Sequence, residues 1–226
     1  MSWFVSALPD ARRLRFLSRV CLLAISCWIA LPAQGETVAP SSASRDSRAE
    51  AQRAVPLADL RPEVAREIHQ IVSNAAMYRR LPVVSGVCDP DLFVFWVRNP
   101  DVIVGIWEQM GVTQISMRRT DEFRFDASDG AGTTSSLELV YSTPNLHLFK
   151  GTGFYEGGLI KRPVRGDCVV LLRNEFRGER VVCRMDVFVS LEQAAVEVVA
   201  KTLQPLFVRY ADLNFVETMD FVERLS

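Results

Sequence analysis

Only two imidazoles, His69 and His147, occur in the 226 residues, so any histidine chemistry must pass through one of them. A metal site would need both, with carboxylates drawn from distant segments, and no His-x-x-x-His spacing offers a ready pair of ligands. A Ser–His–Asp hydrolase would have to use His147, yet the chain lacks the Gly-x-Ser-x-Gly elbow that exposes a serine nucleophile. Cys88 could pair with a histidine, but nothing in the sequence fixes the distance between them. Gly151-Thr152-Gly153-Phe154-Tyr155-Glu156-Gly157-Gly158 invites comparison with a phosphate loop. Its spacing fits neither Gly-x-Gly-x-x-Gly nor the Walker pattern, and no helix follows. It reads as a strand relaxed by glycine that runs into a turn. The carboxylate pairs Asp121/Glu122 and Asp126/Asp129 fall near strand ends and read as solvated edges. No catalytic residue, metal ligand or cofactor is therefore assigned, and the chain leans away from an enzyme.

Composition narrows the field further. Apolar residues make up 49% and charged residues 23%, which places the chain among globular proteins. With 26 basic against 27 acidic residues, no general electrostatic attraction to nucleic acid exists. The leader accounts for part of this balance. Arg12, Arg13, Arg15 and Arg19 precede the uncharged run Val20–Leu31, and Pro32-Ala33-Gln34-Gly35 follows with small residues before Glu36. That order is a secretory signal peptide cleaved after Gly35, and twelve uncharged residues fall short of the ~20 that span a bilayer. A retained signal anchor is the alternative. Cleavage would leave an exported chain, periplasmic or extracellular, of net charge −4 with no membrane span.

The exported chain would keep Cys88, Cys168 and Cys183, an odd number in an oxidising compartment. Residues 36–56 are rich in Ala, Ser and Arg without an aromatic, so they read as a disordered linker before one domain over 57–226. Pro62 opens a helix running to Ala76. Tyr78–Val84 is a short edge strand containing Pro82. Asp89-Pro90 and Asn99-Pro100 open two short helices, the second stopping at Gly111. From Val112 to Val189 the apolar period changes to two, giving six strand candidates separated by Asp129-Gly130, Thr143-Pro144-Asn145, Gly157-Gly158 and Arg177-Gly178. Leu137/Leu139/Tyr141 and Val181/Cys183/Met185/Val187/Val189 mark one apolar face. Ser190-Leu191-Glu192-Gln193 resembles a capping box, so a helix is expected over Leu191–Tyr210, kinked at Pro205, with a second piece over Asn214–Leu225. A cross-strand disulfide between Cys168 and Cys183 is expected if the final hairpin turns at Glu175-Phe176. A turn at Arg177-Gly178 would instead set Cys168 opposite Val187 and leave the sulfurs too far apart.

The fold class is thus α+β: an antiparallel, six- to seven-stranded curved sheet around a long C-terminal helix, with two short helices before the main strands. This order of elements, over about Tyr78–Tyr210, resembles the START/Bet v 1-like (SRPBCC) helix-grip superfamily of ligand-binding and cyclase-type proteins. The resemblance implies a binding module that holds an apolar or amphipathic small molecule between sheet and terminal helix. Tyr141, Met185, Thr202 and Tyr210 are the residues placed to line that space, Thr202 beside the proline kink and the tyrosines as polar tips. A structural or protein-interaction domain with a filled core is the alternative, its protein partner unspecified.

Overall fold

Pro82 divides the first edge of the sheet. In the computed structural model, which describes residues 36–39, 42–156, 163–192 and 204–226, β2 (Met77–Arg80) and β3 (Val83–Val87) lie end to end along one side of β9 (Arg180–Leu191). Proline has no N–H for the ladder, and only Leu81 bridges the gap, its N–H donating to the Met185 carbonyl at 2.9 Å. Beyond β3 stands β1 (Glu36–Ala39). On the other side of β9 a meander of short hairpins runs back through β8 (Val164–Arg177), β7 (Leu146–Tyr155), β6 (Thr133–Ser142) and β5 (Arg124–Ser128) to β4 (Ser116–Asp121). The described residues thus form a nine-stranded, antiparallel, curved and unclosed sheet, wider than the six or seven strands expected.

Among the described residues five α-helices cover it. Segment 36–56, expected to be disordered, instead supplies β1 and α1 (Arg45–Ala54). The Ser44 side chain caps α1 by accepting from the Ser47 N–H at 3.1 Å, and Ala51 is fully buried. α2 (Pro62–Ser73) begins at its proline and buries Val64, Ile68, Ile71 and Val72. α1 and α2 pack on the outer face of the sheet over Leu148, Val169, Leu171 and Phe188. α3 (Pro90–Arg98) is capped by the Asp89 carboxylate, which accepts from the Asp91 and Leu92 N–H groups at 3.0 Å each. α4 (Pro100–Gln109) starts at Pro100, but the Asn99 side chain does not cap it. Asn99 Oδ1 accepts from Arg119 at 2.8 Å instead. Gly111, at φ 65, ends the turn after α4.

The C-terminal α5 (Gln204–Leu225) runs without a break through the stretch where two pieces were expected. Pro205 stands in its first turn, where a missing N–H breaks no helical hydrogen bond. β9 continues through Leu191, so Ser190 is a strand residue and not a helix cap; residues 193–203 lie outside the described chain. Phe215, Met219 and Val222 of α5 share the inner core with Leu81, Val84, Cys88, Phe93, Ile103, Leu172, Val181, Cys183 and Val187. An Arg79–Asp212 ion pair and the Val87 N–H donating to Glu223 at 3.0 Å fix α5 on the β2–β3 edge. Among the described residues no helix is long and apolar enough to cross a membrane.

Candidate functional site

The inner face of the sheet, roofed by α3, α4 and α5, gathers a mostly apolar core with several buried polar groups. Met185 packs there against the core shared with α5. Trp96 of α3 and Trp107 of α4 border the same core, Trp107 meeting Phe221 of α5 edge-on at 5.6 Å. The floor narrows in side-chain size at Gly151, which faces Cys168 across β7 and β8. A Cβ at Gly151 would come within 2.7 Å of both Cys168 Sγ and Leu137 Cδ2, so only glycine fits between them. Burial pushes the Cys168 thiol up to about 11, with Asp167 adding to the shift, which makes it a poor nucleophile.

Polar atoms stand in this apolar setting. His147 is fully buried on β7, and its Nδ1 lies 2.9 Å from the Ser142 hydroxyl. Arg98 Nε, from the end of α3, donates to the same Ser142 Oγ at 2.9 Å. Burial first, and the Arg98 charge second, lower the His147 pKa to about 4, so the imidazole is neutral at physiological pH. Asn174 of β8, 6% exposed, donates from Nδ2 to the Pro144 carbonyl at 2.8 Å. Five buried atoms on the inner-face elements make no hydrogen bond among the described residues: His147 Nε2, Asn174 Oδ1, Trp96 Nε1, Trp107 Nε1 and, on α5, Asp220 Oδ1.

Of the residues expected to line the space, Met185 lies on the inner face packed against the core, and Tyr141 does not lie on that face. A β-bulge between Leu139 and Tyr141 shifts the β6–β7 register, setting Leu139 opposite Phe149 but Tyr141 opposite Leu148. One extra residue reverses the alternation, so Tyr141 packs with the outer core beneath α1 and α2. Thr202 lies outside the described residues, and Tyr210 is described only as part of the helical backbone. The Cys168–Cys183 disulfide is not formed. The β8–β9 hairpin pairs Arg177 with Arg180 around Gly178 (φ 64), a primed two-residue turn. Cys168 therefore faces Val189 and Cys183 faces Asn174, six positions apart along the ladder, and all three described cysteines are free thiols. His69 sits on α2 with Ser73 at 3.4 Å, remote from the inner face.

Sequence reading missed the outer-face ion network. Asp186, fully buried, accepts from Tyr78 at 2.7 Å, from Arg80 Nε at 2.8 Å and from Arg173 at 2.9 Å. Glu50 of α1 takes Arg80 at 2.8 Å and Arg173 and Arg184 at 3.1 Å each. Alternation puts Arg184 and Asp186 opposite the apolar row of β9. Asp186 and Arg80 are buried beneath α1, whereas Glu50 and Arg184 pair at the solvent-exposed rim of the network. The hydrogen bond from Arg80 leads in holding the Glu50 carboxyl down to about 2, while burial and the Asp186 contact push the Tyr78 phenol well above its ordinary range. This network ties α1 to the sheet through Glu50, and within it Arg173 Nε makes no hydrogen bond among the described residues. Farther along the outer face an open groove of about 540 Å³ runs over hydroxyl residues Ser116, Ser128, Thr134, Ser136 and Thr152. Among the described residues no cluster of three His, Cys, Asp or Glu side chains is placed to hold a metal ion.

No family model matches the chain, and no curated protein matches it. Ten solved chains resemble it in structure. A conserved protein of Geobacillus kaustophilus is 12% identical, covering 60% of this chain and 93% of its own, at a TM-score of 0.38. A hypothetical protein of Helicobacter pylori is 16% identical, covering 62% and 83%, at 0.41. CalU16 of Micromonospora echinospora is 15% identical, covering 65% and 89%, at 0.32.

Proposed function

We propose that this chain is an exported, non-catalytic binding module whose sheet grips the C-terminal helix and holds an apolar or amphipathic small molecule on the inner face. The helix-grip order of elements supports the reading. One observation carries it: among the described residues, buried polar atoms of His147, Asn174, Trp96, Trp107 and Asp220 go unpaired on the inner-face elements. Each such atom costs about 1–3 kcal/mol when left without a partner. A pocket with a mostly apolar wall and a few placed polar groups is the usual composition of a small-molecule site. Export with cleavage after Gly35 belongs to the same proposal, since the chain would then begin at Glu36, already paired with Ser85 in β1.

A second reading, a protein-interaction domain, draws on Phe95 and Phe123, 44% and 41% exposed on the surface of the α3 and β4–β5 segments. Energy transfer separates the two. Beyond the leader the only tryptophans are Trp96 and Trp107, both beside the inner core. Titration with an anilinonaphthalene dye should give saturable transfer from tryptophan at one dye per chain. Transfer that never saturates, or none, would rule the binding module out.

A further inference from the structure

We propose that the groove on the outer face, beyond α1 and α2, is a separate binding site and that its ligand is a neutral carbohydrate chain. The strand register builds it. Ser116, Ser128, Thr134, Phe154 and Arg165 stand opposite one another in the successive strands β4 to β8 and form one row across the sheet. Two positions along each strand, Arg118, Asp126, Ser136, Thr152 and Asp167 form a second row. Side chains two apart share a face. Asp167 is two before Val169, which packs with α1 and α2, so both rows lie on the outer face. Neighbours within a row are about 5 Å apart, and the rows are about 7 Å apart. The bulges of the β4–β5 and β6–β7 pairs fall elsewhere, and neither row is broken. All of these residues except Asp167 line one groove of about 540 Å³, within the size range of ordinary ligand sites.

The chemistry of the groove selects the ligand. Among the described residues the hydroxyls of Ser116, Thr134 and Ser136, the Asp126 carboxylate and the Arg165 guanidinium have no side-chain partner. A hydroxyl donates and accepts, a carboxylate can accept from two neighbouring hydroxyls, and a guanidinium can donate to two. Together they match a molecule that carries hydroxyls around its edge. Phe154, partly buried between Thr134 and Arg165 in the same row, adds an apolar surface. A sugar ring presents an apolar C–H face beside hydroxyl-bearing edges, and an aromatic side chain supplies the area to cover that face. The charges oppose a polyanion. Arg118 pairs with Glu108 at 2.8 Å, and Arg165 is offset by Asp126 within the groove, so a nucleic acid or acidic glycan meets no net positive field. A lipid chain fits no better, because it would strip the hydroxyls of water and give them no partner.

Native electrophoresis of the exported chain through gels containing galactomannan, hydroxyethyl cellulose or soluble starch tests this, with polygalacturonate as the acidic counterpart. At least one of the neutral polymers should retard wild type relative to a polymer-free gel, and polygalacturonate should not. Asp126→Ala and Thr134→Lys change exposed side chains, where substitutions leave the fold intact. Each should weaken the affinity read from the retardation about tenfold. No retardation in any neutral gel, equal retardation by polygalacturonate, or retardation unchanged in both variants would overturn the carbohydrate site. The dye titration reads the inner face separately, so saturable transfer alongside any of those results overturns the outer site alone.

Discussion

His147 ties stability to pH in a direction that its burial dictates. An unfolded histidine titrates near 6.5 and the folded one near 4, so between these values the unfolded chain binds more protons. The contribution is complete above pH 6.5 and is lost as pH falls toward 4, a change of ~3 kcal/mol. Urea unfolding at pH 7.5 and pH 4.5 should show this loss in wild type, and His147→Gln should lose ~2–3 kcal/mol less across the same interval. Glu50 acts lower on the scale. Its folded pKa near 2 lies below the ordinary 4.5, so its stabilisation is present above pH 4.5 and disappears between 4.5 and 2. Glu50→Gln should flatten the acid limb of the stability profile in that window. Asp186 carries the most at this scale, because Arg80 and Arg173 would be left facing a buried void of charge. Asp186→Ala should cost about 3–5 kcal/mol in urea unfolding; a cost under about 1 kcal/mol would show that the network is not holding α1.

The elements divide by how local their signals are. The turns at Asp129-Gly130 and Thr143-Pro144-Asn145 and the openings of α2, α3 and α4 were legible because proline, glycine and aspartate act on their own few residues, while the expected turn at Gly157-Gly158 lies outside the described residues. Met185 was legible because β9 alternates without interruption. Tyr141 was not, since a bulge is decided by the partner strand and leaves no mark in the β6 sequence. The Cys168–Cys183 register failed for a related reason: moving the turn from Glu175-Phe176 to Gly178-Glu179 displaces the cysteines by six positions. α1 was missed because its docking surface is only Ala51, Ser47 and a carboxylate, too little apolar area to signal a packed helix. Asn174 did leave a trace, as a polar residue in the apolar row Leu172–Phe176. Ala51→Leu tests the docking of α1. Overpacking a fully buried alanine should cost about 1–3 kcal/mol, whereas an undocked segment would change by less than about 0.5 kcal/mol.

At the scale of the molecule, one sheet serves two layers with different tasks. Its outer face carries the Asp186 and Glu50 ion pairs beneath α1, and its inner face carries polar groups that make no hydrogen bond among the described residues, under α3, α4 and α5. Thiol titration of denatured, unreduced exported protein should find three free thiols, Cys88, Cys168 and Cys183, and amino-terminal sequencing should begin at Glu36. Carriage of a small molecule is read from native mass spectrometry of the protein isolated from its own cells. The expected spectrum shows the exported chain plus one small molecule, which is shed on denaturation. A native mass equal to that of the polypeptide alone, unchanged after incubation with 1-decanol, would contradict a binding function.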